Sequence, residues 1–299
     1  MQFFASDDFS LPLPDGHRFP AEKYRLLRQE LLNKDILKPG QLIPSPLASH
    51  SDILSTHDPS YVMAMEDGSI DPKIMRRIGF PWSPAIPRRG MLTTGGALAA
   101  ARSALETGLS GQLAGGTHHA HYDYGAGFCI YNDLSIVTNI LLTEGAASRV
   151  AIIDLDVHQG DGNAALLGDR EDVFILDIFG EKNFPFRKYP AHLDVPLPDH
   201  CEDRDYLAAL EQHLPAVWAF SPDIVLYQAG IDGLKSDKLG RLDLSFDGLK
   251  ARDQLILQGC FDRNIPCSMA IGGGYADPIQ DTVEAYANTY RVAKSIYGF

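Results

Sequence analysis

The chain has 299 residues, 45% of them hydrophobic, and 26 Lys and Arg against 39 Asp and Glu give a net charge of −13. That length and apolar content suffice for a large core. The acidic balance argues against non-specific binding to nucleic acid or to an anionic membrane surface.

In chain order, AEKYRLLRQELLN (21–33) and RGMLTTGGALAAARSALETG (89–108) read as helices. Between them GFPWSPAIPRRG (79–90), with its three prolines, reads as a surface loop rather than a domain boundary. From about residue 111 the pattern alternates. GQLAGG (111–116), RVAIIDLD (149–156), DVFILDI (172–178), DIVLYQAG (223–230) and IPCSMAIGGG (265–274) read as strands. NDLSIVTNILLTEG (132–145), DRDYLAALEQHLPAVWAF (203–220), FDGLKARDQLILQGCFDRN (246–264) and DPIQDTVEAYANTYRVAKSIYG (277–298) read as helices. This predicts an α/β fold: one domain over residues 1–299, with a mostly parallel sheet flanked by helices.

Other segments set boundaries. No apolar run approaches the ~20 residues of a membrane span. MQFFASDDFSLPLPDG at the start lacks the basic and apolar regions of a signal peptide. Cys129, Cys201, Cys260 and Cys267 form no CxxC pair, so reduced thiols in a cytoplasmic protein are expected.

The stretch AIIDLDVHQGDG (151–162) carries Asp154, Asp156, His158 and Asp161 at the end of an apolar run. In an extended strand Asp154, Asp156 and His158 share a face. Carboxylates and an imidazole brought together suit a divalent metal such as zinc. The plainer alternative is a buried His held by one carboxylate, with the other Asp capping a helix. His118 and His119, Asp232 and Tyr275 each follow a predicted strand, and in parallel α/β sheets that edge binds ligands. Asp156, His158 and Asp232 would then be three metal ligands. Two carboxylates weaken the ion as a Lewis acid, so a separate base is useful, and the His118–His119 pair offers one. Asp154 and Asp161 are placed to accept hydrogen bonds from those imidazoles. A surface loop with two unconnected histidines is the alternative for the pair. Tyr275, after three glycines, can donate to a developing oxyanion. GGGYADP lacks the Lys and Ser/Thr of a phosphate loop. Together these parts describe metal-assisted hydrolysis of an amide.

With GHRFPAEKY, HDPSYV (57–62), GGTHHAHYDYGAGFCIYND (115–133), DLDVHQGDG, AGIDGLKSDKLGRLDLS and GGGY, the chain resembles the histone deacetylase family of zinc amidohydrolases, with its arginase–deacetylase type of fold. The resemblance implies one Zn²⁺ per chain on Asp156, His158 and Asp232, with iron the alternative ion, and His119 as the favoured base beside His118. It implies Tyr275 as the oxyanion donor and Phe128 and Phe184 as walls of an acyl-lysine tunnel. The Gly127 carbonyl would accept the substrate amide. A structural K⁺ would use Asp154, Asp156, His158, Asp177 and the backbone of Ile178. Gln159 stands where many members have His, and Asp177 where class I enzymes have Ser. Both features, with LDIF and LGRLDLS, resemble the class IV branch and its bacterial relatives. That makes histones a weaker expectation and longer acyl chains a stronger one. The expected substrate is an acylated lysine of a protein or peptide, or an acylated small amine. Rival readings are an acetylpolyamine amidohydrolase, an arginase-like binuclear manganese hydrolase and a non-catalytic acyl-lysine binding module. Nothing in the sequence sets the oligomeric state.

Overall fold

The computed structural model describes residues 1–6, 11–14 and 16–299. Residues 7–10 and 15 of the N-terminal segment therefore lie outside the described residues. The chain runs β1 (Phe3–Ala5), α1 (Lys23–Asn33), β2 (Leu42–Pro44), α2 (His50–Leu54), α3 (Pro59–Asp67), α4 (Pro72–Ile78), α5 (Ala85–Thr107) and β3 (Leu109–Gln112). It continues α6 (Asp133–Thr143), β4 (Val150–Asp154), α7 (Asp161–Leu167), β5 (Val173–Gly180), β6 (Leu193–Leu197), α8 (Asp203–Phe220), β7 (Ile224–Gln228), α9 (Phe246–Arg263), β8 (Cys267–Ala270) and α10 (Ile279–Tyr297).

Among the described residues, eight strands form one sheet in the order β2-β1-β3-β8-β7-β4-β5-β6, and every pairing is parallel. The expected α/β sheet is thus wholly parallel, and all strand C-termini share one edge. Helices cover both faces, which is why the strands read as continuous apolar runs. Along β4, Ala151 and Ile153 join an apolar layer built with α1, α8, α9 and α10. Val150 and Ile152 join the opposite layer, with α3, α5 and α6.

Several elements differ from expectation. The strand placed at 111–116 lies at Leu109–Gln112, because the glycines Gly115 and Gly116 adopt positive φ and end it. β1 and β2 have only three residues, and β6, LDVPL, carries a proline and a half-exposed mixed pattern, so none of the three was predicted. The segment 79–90 is a loop only in its first half, since α5 begins at Ala85 with Pro87 in its first turn, where no N–H is needed. Helices α3 and α4 were also missed, although each opens on an Asp-Pro pair whose Asp side chain caps the helix. The four cysteines are buried and unbridged. Among the described residues, no helix is long and apolar enough to cross a membrane.

Candidate active site

At the shared strand edge lies a cavity of about 640 Å³. Its floor holds Asp156 and His158, from the loop after β4, and Asp232, from the loop after β7. The route to this convergence differs from the alternation argument. β4 stops at Asp154, whose Oδ1 accepts the N–H of Asp156, and the chain turns there instead of continuing extended. His158 Nδ1 lies 3.0 Å from Asp156 Oδ1 and 3.0 Å from Asp232 Oδ2. One donor atom from each of the three residues lies within 4.8 Å of the others. Backbone N–H groups fix the carboxylates: Gly273 donates to Asp156 Oδ2 at 2.6 Å and Val157 to Asp232 Oδ1 at 2.9 Å. A Cβ at Gly273 would collide with the Asp232 carboxylate, so the glycine is required.

Burial opposes charging of His158, but Asp156 and Asp232 outweigh it and lift the ring to about 10, so one imidazole is left to balance two carboxylates. Two carboxylates share one imidazole nitrogen with one proton to offer, and their only ionic partners among the described residues are histidines. Burial and then the Asp156 charge push the Asp232 carboxyl up to about 7. A divalent cation fits that deficit and that donor set.

The two tandem histidines are buried beside the triad, not on a surface loop. His118 Nδ1 lies 2.8 Å from Asp154 Oδ2, and His119 Nδ1 lies 2.6 Å from Asp161 Oδ1. Each ring thus has Nδ1 engaged, which leaves Nε2 for other work. Their environments push them apart. For His118, burial opposes charging, but Asp154 and Asp156 outweigh it and lift the ring to about 10. For His119, burial and then the charge on His118 lower the ring to about 4. The two environments thus favour the charged form of His118 and the neutral form of His119. Burial works against the charge on Asp161, yet hydrogen bonds from His119 and His121 hold its carboxyl well below the usual range.

Tyr275 lies near Phe128, with ring centroids 6.0 Å apart, and its N–H donates to Asp237 Oδ2 at 2.6 Å. Loss of solvent, then the Asp232 and Asp156 charges, push its phenol well above the usual range, so it stays an O–H donor. The Phe184 ring stands edge-on to His119 at 4.9 Å. Phe128 packs against Phe19 and Phe80 and holds φ +66°, unusual for a bulky residue. Gly127, at φ +52°, has no room for a Cβ, which would come within 2.6 Å of His119 Cδ2.

Asp177 pairs in register with Asp154 across β4 and β5. Its Oδ2 accepts the Gly160 N–H at 2.8 Å, while Oδ1 is buried with no partner. Burial and then the Asp154 charge push this carboxyl well above its usual range. A buried orphan oxygen between carboxylates fits a monovalent cation. Ile178 follows in β5 with its side chain in the core. Gln159 is outside the catalytic cluster. Its amide bonds the Tyr189 backbone and Asp194, fixing the segment before β6.

Sequence reasoning missed three residues. His121 donates from Nε2 to Asp161 Oδ2 at 2.9 Å, so Asp161 bridges two histidines. His57 accepts the Asn132 N–H at Nε2, 2.8 Å, and sits 2.9 Å from the His121 carbonyl at Nδ1. Lys23 is buried against the Tyr275 ring and donates to the Gly274 carbonyl at 3.2 Å. The signal for Lys23 was present, because it continues the buried stripe Leu27 and Leu31 at a spacing of one helical turn.

A doubly covered parallel sheet with carboxylates, imidazoles and a phenol converging at its C-terminal edge is the setting of a hydrolase site, with a triad that could hold a metal ion. A model of the histone deacetylase domain matches residues 17–290. The chain is 41% identical to an uncharacterized Picosynechococcus protein over 97% of both chains. It is 32% identical to histone deacetylase 2 of Arabidopsis thaliana, over 90% of this chain and 73% of that one. It is 30% identical to the acetoin utilization protein AcuC of Staphylococcus aureus, over 79% of this chain and 66% of that one. Among solved structures, an HDAC homologue complexed with SAHA superposes with a TM-score of 0.85 at 24% identity, covering 100% of this chain and 84% of that one. An HDAC homologue from Aquifex aeolicus gives 0.82 at 24% identity, covering 99% and 84%. The chain belongs to the histone deacetylase family and has the arginase–deacetylase fold. It is a hydrolase of amide bonds, in a family that is generally metal-dependent.

Proposed function

We propose that this protein removes acetyl or longer acyl groups from lysine side chains, with one Zn²⁺ held by Asp156, His158 and Asp232. The observation that carries the reading is the placement of this triad, the His118–His119 pair and Tyr275 on one cavity. A bound divalent ion would polarise the amide carbonyl and acidify a water.

The chain's own residues supply the rest. Phe128 and Phe184 flank the alkyl stem of a neutral acyl-lysine and keep water out. The Gly127 carbonyl accepts the substrate N–H and sets its depth. His119, neutral and steadied by Asp161, takes a proton at Nε2 and returns it to the leaving amine. His118, held at Nδ1 by Asp154, directs Nε2 towards the reacting centre beside His119. The Tyr275 phenol donates a hydrogen bond to the carbonyl oxygen as negative charge develops there. Asp154, Asp156, His158, Asp177 and the Ile178 backbone would hold K⁺ behind the site, a role supported by the orphan Asp177 oxygen. We read residues 1–299 as one catalytic domain acting in the cytoplasm: one sheet carries both apolar layers, and the cysteines are unbridged.

The test is a series of lysine peptides bearing acetyl to long-chain acyl groups, assayed on zinc-loaded protein. Each methylene accommodated contributes roughly 0.8 kcal/mol, so kcat/KM should rise from acetyl towards a medium or long chain. A monotonic fall beyond acetyl would leave a plain deacetylase, and no turnover on any member would sink the reading.

A further inference from the structure

The cavity is electrically unlike the rest of the molecule. The chain carries a net charge of −13, yet eight of the residues that line the cavity are Lys or Arg and two are Asp. Both Asp residues are the buried ligand candidates on the floor, and Lys23 and Arg89 are the buried cations. The other six cations, Arg18, Arg76, Arg77, Lys182, Lys238 and Arg241, are exposed.

These six come from separate parts of the chain. Arg18 precedes α1, Arg76 and Arg77 lie in the last turn of α4, Lys182 follows β5, and Lys238 and Arg241 follow β7. Neutralisation is partial. Asp199 pairs with both Arg241, at 2.7 Å, and Lys182, at 3.6 Å, and Asp277 pairs with Lys238 at 2.7 Å. The Arg77 guanidinium lies over the Tyr124 ring at 4.1 Å. Arg18 and Arg76 pair with no carboxylate among the described residues. Among the described residues, six cations therefore face two carboxylates where a substrate enters. Such a mouth raises the local concentration of anionic ligands and repels cationic ones.

A peptide fits better than a small amine. A second cavity shares Arg76, Gly79 and Phe80 with the first and is otherwise mostly apolar, with Ile70, Pro72, Met75, Pro81 and Trp82. It extends the mouth sideways, over α4, where residues flanking the acylated lysine would lie. Phe186, 89% exposed, stands among the lining residues of the main cavity.

We infer that the acyl-lysine taken by this site sits in an acidic sequence context, with Asp or Glu flanking it, and that lysine-rich tails and acylated polyamines are disfavoured. This rests on the acyl-lysine reading above. The experiment uses zinc-loaded protein and three peptides with the same central acyl-lysine, flanked by two Glu, two Ala or two Lys on each side, plus N-acetylspermidine. Expected at low salt is a kcat/KM for the Glu peptide on the order of 10-fold above the Lys peptide, shrinking towards parity at 0.5 M NaCl as screening shortens the field. Arg76→Glu should cut the Glu-to-Lys ratio several-fold, whereas Arg25→Glu, the same charge change on the exposed side of α1, should leave it near the parental value. The ratio is taken within each variant, so loss of folded protein cancels. Three peptides cleaved at equal rates, or N-acetylspermidine cleaved faster than the Glu peptide, would overturn the inference and keep the deacylase. Equal rates that a short RNA inhibits would mean a polyanion site and would also overturn it. No turnover on any substrate would remove the deacylase reading and the inference together.

Discussion

His57 should give this protein a measurable acid lability. The ring is buried and wired in one tautomer: Nδ1 donates to the His121 carbonyl at 2.9 Å, and Nε2 accepts the Asn132 N–H at 2.8 Å. A second proton would set N–H against N–H. Burial is the main reason that the folded ring takes a proton only near 4, against 6.5 ordinarily, with hydrogen bonds to the His121 and Tyr122 backbones acting the other way. The unfolded chain begins to bind this proton near 6.5, so the stabilisation is complete above that pH and is lost as pH falls through 4. The gap corresponds to about 3 kcal/mol. His57→Ala should also strand the Asn132 N–H and the His121 carbonyl, costing about 2–4 kcal/mol at pH 7. Urea unfolding of parent and variant, with chelator in both, from pH 7.5 to 4, gives the difference curve in which all other titrations cancel. It should shrink by about 3 kcal/mol across that range. A difference that stays flat with pH would refute the linkage.

Asp232→Ala should drop divalent metal from one ion per chain to near none, read by elemental analysis, with the circular dichroism spectrum unchanged; full occupancy would remove Asp232 from the ligand set. His119→Ala and Tyr275→Phe should each keep the metal and lose on the order of 10²–10³ in kcat, and a parental rate in either would end that residue's assigned role. Gly127→Ala brings a methyl against His119 and should lower kcat by up to about 10²-fold, with KM changing little; unchanged kcat would show that the His119 ring has slack.

Much of the site was visible in the sequence because a parallel sheet turns order along the chain into order along one edge. Asp156, His158 and Asp232 could be placed together from strand ends alone. The Asp154–His118 and Asp161–His119 contacts followed from proximity to that edge. The shortest strands could not be read: Phe3–Ala5 and Leu42–Pro44 are strands because neighbours pair with them, not because three residues carry a period. The left-handed backbone of Phe128 was equally hidden, since it depends on the Ile78 carbonyl, which accepts the Phe128 N–H at 2.7 Å. The capping signals Asp58-Pro59 and Asp71-Pro72 were legible and overlooked, as was the break in apolar character at Lys23.

The strand order also bears on how the chain is made. β8, which spans Cys267–Ala270, is slotted between β3 and β7, and the loop that follows it brings Gly273 and Tyr275 to the site. At roughly 5–20 residues per second, a ribosome that has finished Gln112 needs on the order of 10–30 s to reach Cys267. Throughout that interval one edge of β3 and one edge of β7, once it has emerged, have no partner strand, and apolar surface on both faces is uncovered. Nascent chains stalled before residue 267 should therefore be avid clients for holding chaperones and sensitive to protease. A premature stop there should yield no partly active fragment, because the last strand to appear is a central one.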